Sequence, residues 1–161
     1  MSDPIEQRYF DDVEIGEEFE EAQHPTAEHV RQFMARSEQS GRDQSGDPVL
    51  GRFIDIDIAR SHGLDRPIVP GNMSLAMITR LVTDWMGPLG HIVEIDVSYR
   101  RPILHGDRLR SVALVTDVEI SPRVHLDLSL ENERGERPLQ GTAVDDLPVR
   151  GSLSAPFRPH V

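Results

Sequence analysis

The segment from Gly71 to Met86 constrains the fold more than any other part of the chain. It has the composition of a helix, and apolar side chains cover most of its circumference: Met73, Leu75, Ala76, Met77, Ile78, Leu81, Val82, Trp85 and Met86. A helix with so little polar surface must be covered by other elements. The Gly87-Pro88 pair ends it. The remaining sequence must therefore supply a layer that packs around this helix.

Apolar and polar side chains alternate after this helix, which is the pattern of strands with one buried face. The alternation predicts strands over 93–99, 108–120, 124–131 and 139–144 that form a meander, with a hairpin turn at 132–135. Upstream of the helix, the sequence predicts a short strand over 17–22, a helix over 27–35 capped by Thr26, a polar loop over 37–48 and one or two helical turns over 53–62.

This order of elements predicts an α+β hot-dog fold, in which an antiparallel sheet wraps around one long buried central helix. We assign the domain to residues 1–147, and we expect the Pro-, Ser- and Gly-rich tail over 148–161 to be extended or disordered. One copy leaves a sheet edge and a flank of the helix open. We therefore expect a homodimer, or a heterodimer with another hot-dog subunit.

Charge narrows the classes of partner. The chain has 161 residues with 17 Lys plus Arg against 28 Asp plus Glu, a formal net charge of -11. This charge disfavours nucleic acid and anionic lipid, which both attract basic proteins. The chain has no cysteine, no apolar run long enough to span a membrane, and no cluster with metal-ligand spacing. With a polar N-terminus, these features predict a cytoplasmic protein with no metal site.

Three motifs carry a resemblance to a known family. The first runs over 58–75 and reads IARSHGLDRPIVPGNMSL; the others are YRRPILHGD over 99–107 and FDDVEIG over 10–16. Together they resemble the MaoC-like family of (R)-specific enoyl-CoA hydratases and 3-hydroxyacyl thioester dehydratases. The resemblance covers roughly residues 8–147. It implies hydration of 2-enoyl or dehydration of 3-hydroxyacyl thioesters, carried on CoA or on acyl carrier protein, with no further cofactor.

Gly71 begins the central helix within the first motif. Free N–H groups and the helix dipole favour developing negative charge at a helix N-terminus. Because thioester hydration passes through an enolate-like oxygen, the resemblance implies a catalytic role for the Gly71 amide. The alternative is that glycine only permits the tight turn after Pro70.

The acid–base pair of the family is incomplete in this chain. Counted back from the central helix, the family's histidine position falls on Phe53, and the aspartate that follows it falls on Asp55. Phenylalanine cannot transfer a proton. The family's catalytic aspartate position falls on Pro48, which leaves Asp47, one residue away, as the candidate base. The histidine that usually precedes the glycine is Pro70 here.

Other polar residues offer alternatives to this assignment. Asp57 and His62 are five positions apart, which places them on different faces of a helix. His62 is better suited to the C-terminal end of its helical turn, where a cation is favourable. Asp43 lies in the same loop as Asp47 and is a second candidate there.

The resemblance also implies contacts with substrate. We expect these from Phe53, Asp55, Pro70, Asn72 and Met73. For the methionines of the central helix, the alternative is simple filling of the core. Arg100 and Arg101 either pair with CoA phosphates or remain solvated at the end of a strand.

Two hypotheses of function follow. In the first, the chain is a hydro-lyase in which Gly71 holds the oxyanion and Asp47 acts on water. In the second, it is a non-catalytic hot-dog subunit that binds acyl-CoA or completes a heterodimer, and its partner supplies the Asp and His. A hot-dog thioesterase would need an acid or base on the central helix, where Asp84 is the only carboxylate and lies near the far end.

Overall fold

A computed structural model of the chain describes residues 5–35, 46, 48, 50–120 and 122–152. A short 3-10 turn covers Phe10–Asp12, and the helices are α1 (Ala27–Met34), α2 (Gly51–Ile54), α3 (Ile56–Ser61) and α4 (Gly71–Met86). The strands are β1 (Glu18–Gln23), β2 (His91–Tyr99), β3 (Leu109–Val118), β4 (Arg123–Asn132) and β5 (Leu139–Asp146). The predicted central helix and the predicted strands are therefore confirmed, with small changes at their ends.

The five strands form one antiparallel sheet in the order β1-β3-β4-β5-β2. Strands β3, β4 and β5 follow one another as a meander, but β2 pairs with β5, where Tyr99 lies opposite Leu139. The prediction that all four later strands form one meander is therefore wrong for β2. Residues 100–108 cross the end of the sheet instead of forming a hairpin, and on the way Leu104 bridges to Ile68.

Helix α4 packs against the inner face of this sheet. Its buried residues are Ser74, Ile78, Leu81, Val82 and Met86. Strand β4 supplies an alternating set that faces them: Val124, Leu126, Leu128 and Leu130. This arrangement is the predicted α+β hot-dog fold. It removes most of the apolar surface of α4 from water, which is the main favourable term in folding.

One stripe of α4 stays open to solvent in a single chain. It consists of Asn72, Ala76, Arg80 and Asp84, which recur every fourth residue and so share one helix face. Strands β1 and β2 form the two edges of the sheet. These open surfaces are the ones on which the prediction of a dimer depends.

The start of α1 shows how closely local sequence determines an element here. The Thr26 hydroxyl accepts a hydrogen bond from the His29 backbone N–H at 3.3 Å, and the His29 ring accepts one from the Thr26 N–H. This reciprocal cap satisfies two donors that a helix otherwise leaves free. It confirms the predicted N-cap of α1, whose Val30 is fully buried in the core.

Candidate functional site

The N-terminus of α4 is uncapped. Pro70 occupies the cap position, and its carbonyl oxygen accepts hydrogen bonds from the Met73 and Ser74 backbone N–H groups at 3.0 and 3.1 Å. In the described part of the chain, the N–H groups of Gly71 and Asn72 have no acceptor. Free donors at the positive end of a sixteen-residue helix favour an oxyanion.

Tyr99 lies directly against this helix start. Its hydroxyl donates a hydrogen bond to the Gly71 carbonyl oxygen at 3.0 Å. A β-carbon built on Gly71 would lie 3.2 Å from the Tyr99 Cε1 atom, which is tighter than ordinary contact. Glycine at this position therefore allows the phenol ring to approach the backbone.

A cleft of about 320 Å³ opens at this point. The residues that line it are Val69, Gly71, Ser74, Tyr99, Arg100, Arg101, Pro102, Ile103 and Pro138. None of these described lining residues carries a carboxylate or an imidazole. The Ser74 hydroxyl is buried and donates to the Pro70 carbonyl oxygen at 3.3 Å. The described walls of the cleft therefore offer hydrogen-bond donors and positive charge, but no strong proton acceptor.

Phe53 occupies α2 and packs against the hydrophobic core. The Arg52 guanidinium carbon lies 5.0 Å from the centre of its ring, and the Arg52 carbonyl oxygen accepts a hydrogen bond from the Ile68 N–H. Helix α2 is thus anchored to the segment that leads into α4. Residue 53, which corresponds to the histidine of the family pattern, is therefore an apolar side chain packed against the core.

Asp55 has a structural role. It caps α3, because its carboxylate accepts hydrogen bonds from the Asp57 and Ile58 backbone N–H groups at 2.8 and 3.1 Å. His62 is the C-terminal cap residue of α3, as the sequence predicts. The candidate bases Asp47 and Asp43 lie outside the described residues.

The other predicted substrate contacts fall on two sides of α4. Pro70 is buried, whereas Asn72 is exposed and its side-chain oxygen accepts from the Met73 N–H. Met73 also packs against the core and lines a second cleft of about 380 Å³ between α1 and α4, with Phe33 on the opposite wall. The structure is compatible with both readings of Met73, as core filling and as a wall of a ligand channel.

His105 is a buried histidine within the motif over 99–107. Only 8% of the surface of His105 is exposed, and its Nε2 atom has no hydrogen-bond partner among the described residues. Burial lowers its pKa, and the positive charges of Arg31 and Arg66 act in the same direction, against an opposing contribution from the backbone of Phe53 and Ile68. The turn composition of 105–107 gave no signal that this side chain packs beneath α2.

In the described part of the chain, no group of three or more His, Asp or Glu side chains is arranged to hold a metal ion. Among the same residues, no helix has both the length and the apolar surface that crossing a bilayer requires.

Comparison with known proteins agrees with this architecture. Residues 53–129 match the family model of the MaoC like domain. The (R)-hydratase from A. caviae involved in PHA biosynthesis is 23% identical, with a TM-score of 0.74 over 85% of this chain and 98% of that one. The R-hydratase PhaJ1 from Pseudomonas aeruginosa is 19% identical, with a TM-score of 0.76 over 95% and 96%.

A heteromeric protein has the same fold. A truncated HadBC (3R-hydroxyacyl-ACP dehydratase) complex from Mycobacterium tuberculosis is 17% identical, with a TM-score of 0.62 over 81% of this chain and 96% of that one. No curated protein sequence matches the chain. The match at 53–129 includes Phe53, the bridge at Ile68 and the whole of α4. Residues 53–129 therefore match the MaoC like domain, and the chain has the hot-dog fold.

Proposed function

We propose that the chain binds a 2-enoyl or 3-hydroxyacyl thioester at the N-terminus of α4 and takes part in its hydration or dehydration. The observation that carries this proposal is the pair of free N–H groups on Gly71 and Asn72 at the start of α4, where Gly71 lines the cleft. The match of residues 53–129 to the MaoC like domain supports the same class of substrate.

The chemistry explains why this position suits a thioester. Addition of water forms a C–O bond at C3 of the enoyl group, and the electron pair of the double bond moves onto the thioester oxygen. A proton then reaches C2, and the proton lost by the attacking water goes to a base. Backbone N–H groups aimed at the thioester oxygen stabilise the enolate, and removal of one such donor typically costs about 100- to 1000-fold in rate.

Proton transfer requires a group beyond the described lining of the cleft. We propose Asp47 for this role, since it precedes α2 and stands one residue from the position the resemblance assigns to the catalytic aspartate. The substrate brings its own CoA or carrier-protein arm, and the proposed reaction needs no other cofactor.

A second candidate function rests on Phe53. An aromatic ring that packs against the core cannot act as an acid or base, and the cleft lining described here does not replace it. In this reading the chain is a non-catalytic subunit that binds the thioester or completes a heterodimer. The HadBC complex and the ChsH1-ChsH2 complex, both from Mycobacterium tuberculosis, show that the fold occurs in complexes of two different chains.

One experiment separates the two candidates. Purified protein is mixed with 2-enoyl-CoAs of short and medium chain length, and loss of the conjugated double bond is followed by absorbance. The hydratase proposal expects turnover that Asp47→Asn abolishes and that the matched loop variant Asp43→Asn retains. Binding of acyl-CoA without turnover supports the non-catalytic subunit. Absence of both binding and turnover overturns the assignment of a thioester site.

A further inference from the structure

Three arginines next to the cleft share two carboxylates. Arg101 Nη1 lies 3.5 Å from one oxygen of Glu136, and Arg134 Nε lies 3.0 Å from the other. Arg134 also lies 4.0 Å from Asp107, which pairs with Arg66 at 3.0 Å. Positive and negative groups therefore alternate in the order Arg101, Glu136, Arg134, Asp107 and Arg66. This series of alternating charges begins and ends with a guanidinium group.

Arg100 adds a further positive charge to this set. It is exposed and lines the same cleft as Gly71, and it has no acidic partner in the described part of the chain. We call Arg66, Arg100, Arg101 and Arg134 the arginine row. The row has four guanidinium groups, and three of them share the two carboxylates of Asp107 and Glu136, which leaves an excess of two positive charges. The neighbouring Arg108 does not change this count, because it pairs with Glu133 at 3.6 Å.

This local excess of positive charge contrasts with the negative net charge of the whole chain. The net charge is -11, so an anionic ligand is repelled by most of the surface. A local positive field raises the concentration of such a ligand at one place and speeds its association. The permanently charged basic side chains of the chain are all arginines, since the sequence contains no lysine. A guanidinium group presents two parallel donors that match the oxygens of a phosphate.

The arginine row is continuous with the proposed thioester site. Arg100, Arg101 and Pro138 line the Gly71 cleft, and Glu136 lies two residues before Pro138. Arg66 and Arg134 line a third cleft of about 230 Å³, which Asp107 and Asn132 also line. The two pairs with Glu136 are partly exposed, so they contribute little to stability and can exchange for a ligand anion, whereas Asp107 is buried and holds Arg66 in place.

We propose that the arginine row binds the phosphate groups of the pantetheine-linked arm that carries the thioester, as found in CoA. This inference rests on the proposed function, because it assumes that the acyl group lies in the Gly71 cleft. A phosphate drawn to Arg100 and Arg101 would compete with Glu136 for the row. The arm would thus leave the cleft along the end of the sheet formed by β2 and the β4–β5 hairpin.

Calorimetric titration tests the proposal with three probes that differ in phosphate content: an S-acyl-pantetheine, the same acyl group on 4′-phosphopantetheine, and the acyl-CoA. For the wild type we expect affinity to rise with each added phosphate. In Arg100→Gln/Arg101→Gln we expect acyl-CoA to bind at least roughly tenfold more weakly, because charged hydrogen bonds are lost. Binding of S-acyl-pantetheine should fall much less than binding of acyl-CoA, because this probe has no phosphate. The conservative Arg100→Lys/Arg101→Lys variant should restore part of the loss.

Arg123→Gln serves as the matched control. Arg123 is a partly exposed arginine that pairs with Asp146 at 3.0 Å, at the opposite end of β5 from the row. We expect this variant to bind every probe as the wild type does. A comparable loss in Arg123→Gln would mean that general charge, and not the row, governs binding, which would overturn the proposal. Thermal unfolding of each variant verifies that the fold is intact.

The outcomes separate this inference from the function on which it rests. Equal affinity for all three probes, unchanged in the double variant, overturns the phosphate site and leaves the thioester site standing. If no thioester binds, inorganic pyrophosphate becomes the probe: binding that the double variant loses supports an anion site and rejects the proposed function. Absence of pyrophosphate binding as well overturns both. Among supporting results, equal affinity for the phosphopantetheine and CoA probes favours a carrier-protein source, and tighter CoA binding favours free CoA.

Discussion

The Tyr99 hydroxyl donates a hydrogen bond to the Gly71 carbonyl oxygen at 3.0 Å, and the same ring lies against the face of Gly71 where a side chain would be. One contact thus connects edge strand β2 with the first residue of α4. It orients the helix start that carries the free N–H groups. The shape of the cleft at this point depends on the absence of a side chain on residue 71.

The first prediction concerns Gly71→Ala. The new methyl group meets the Tyr99 ring at 3.2–3.3 Å, so the ring must move and narrow or distort the cleft. Alanine is favoured over glycine in a helix by roughly 0.5–1 kcal/mol, so we expect stability to be kept or slightly raised. Acyl-thioester affinity should fall at least severalfold. Calorimetric binding together with urea unfolding measures both quantities.

The matched control for this variant is Tyr99→Phe, which removes the hydroxyl and keeps the ring. We expect it to lose about 1 kcal/mol or less of stability and none of the affinity for the thioester. If Gly71→Ala bound thioester as the wild type does, the open space beside Gly71 would have no role in binding.

The second prediction concerns Asp145, a carboxyl group in the core without a partner. It is fully buried on β5, opposite Val124 and Ile92, and neither of its oxygens has a hydrogen-bond partner among the described residues. Burial, with a smaller contribution from Asp146, raises its pKa from 3.8 to about 7. The folded protein therefore holds this group protonated under mildly acidic conditions.

The sign of the pH dependence follows from linkage. Between about pH 4 and pH 7, the folded state binds a proton at Asp145 that the unfolded state has released. The contribution of this group to stability is thus present at low pH and is lost as pH rises through this window. A shift of this size corresponds to at most about 4 kcal/mol. We expect Asp145→Asn to be more stable than the wild type at pH 8.

Urea unfolding at pH 5, 7 and 8 measures this difference. The free energy of unfolding of the wild type should fall relative to that of Asp145→Asn as pH rises. Asp146→Asn removes a neighbouring carboxylate that is partly exposed, and it should show a much smaller effect. Parallel curves for the wild type and Asp145→Asn would show that Asp145 ionises at its ordinary pKa.

The third prediction concerns His105, for which the sign is opposite. Burial lowers its pKa below 6.5, so below that pH the unfolded state takes up a proton more readily than the folded state. Stability contributed by the neutral imidazole is therefore present at higher pH and is lost as pH falls through 6.5. His105→Leu should reduce this sensitivity to acid, because leucine fills the same apolar site without titrating.

Urea unfolding at pH 5 and pH 7.5 measures the free energy of unfolding of the wild type and of His105→Leu. His91→Gln, at an exposed position on β2, is the comparison variant and should keep the acid sensitivity of the wild type. An NMR titration of the His105 ring gives an independent value. A ring that titrates above 6.5 would contradict the assignment of a neutral, buried imidazole.

Sequence patterns predicted the elements of this fold better than their arrangement. Gly71 and Gly87-Pro88 delimit α4 as expected, because helix ends are determined by local backbone chemistry. The partner of β2 was not predictable in the same way. An alternating strand specifies which face is buried, but the strand it pairs with depends on the path of residues 100–108 across the sheet.

The same limit applies to the candidate site. Gly71 and Phe53 were found from the sequence because a motif fixes their spacing, and both lie in the elements expected. Asp55 caps α3 with its carboxylate, and its contact with substrate stays a prediction. Asp145 and His105 gave no signal, since a single polar residue in a strand or turn looks solvated until tertiary packing buries it.

The last prediction restores the histidine that the family pattern places at residue 53. Phe53→His introduces a proton-transferring group on α2, beside the segment that leads to Gly71. If Asp47 is the base of the proposed reaction, the new imidazole complements it, and general acid–base catalysis typically contributes about 100- to 10,000-fold. We expect hydration of 2-enoyl-CoA to rise, at a cost of about 2–3 kcal/mol in stability from lost apolar packing. Activity in Phe53→His that Asp47→Asn removes would place both groups at one reaction centre. Unchanged activity in a folded Phe53→His protein that still binds acyl-CoA would instead favour the non-catalytic subunit, whose partner chain brings the acid and the base.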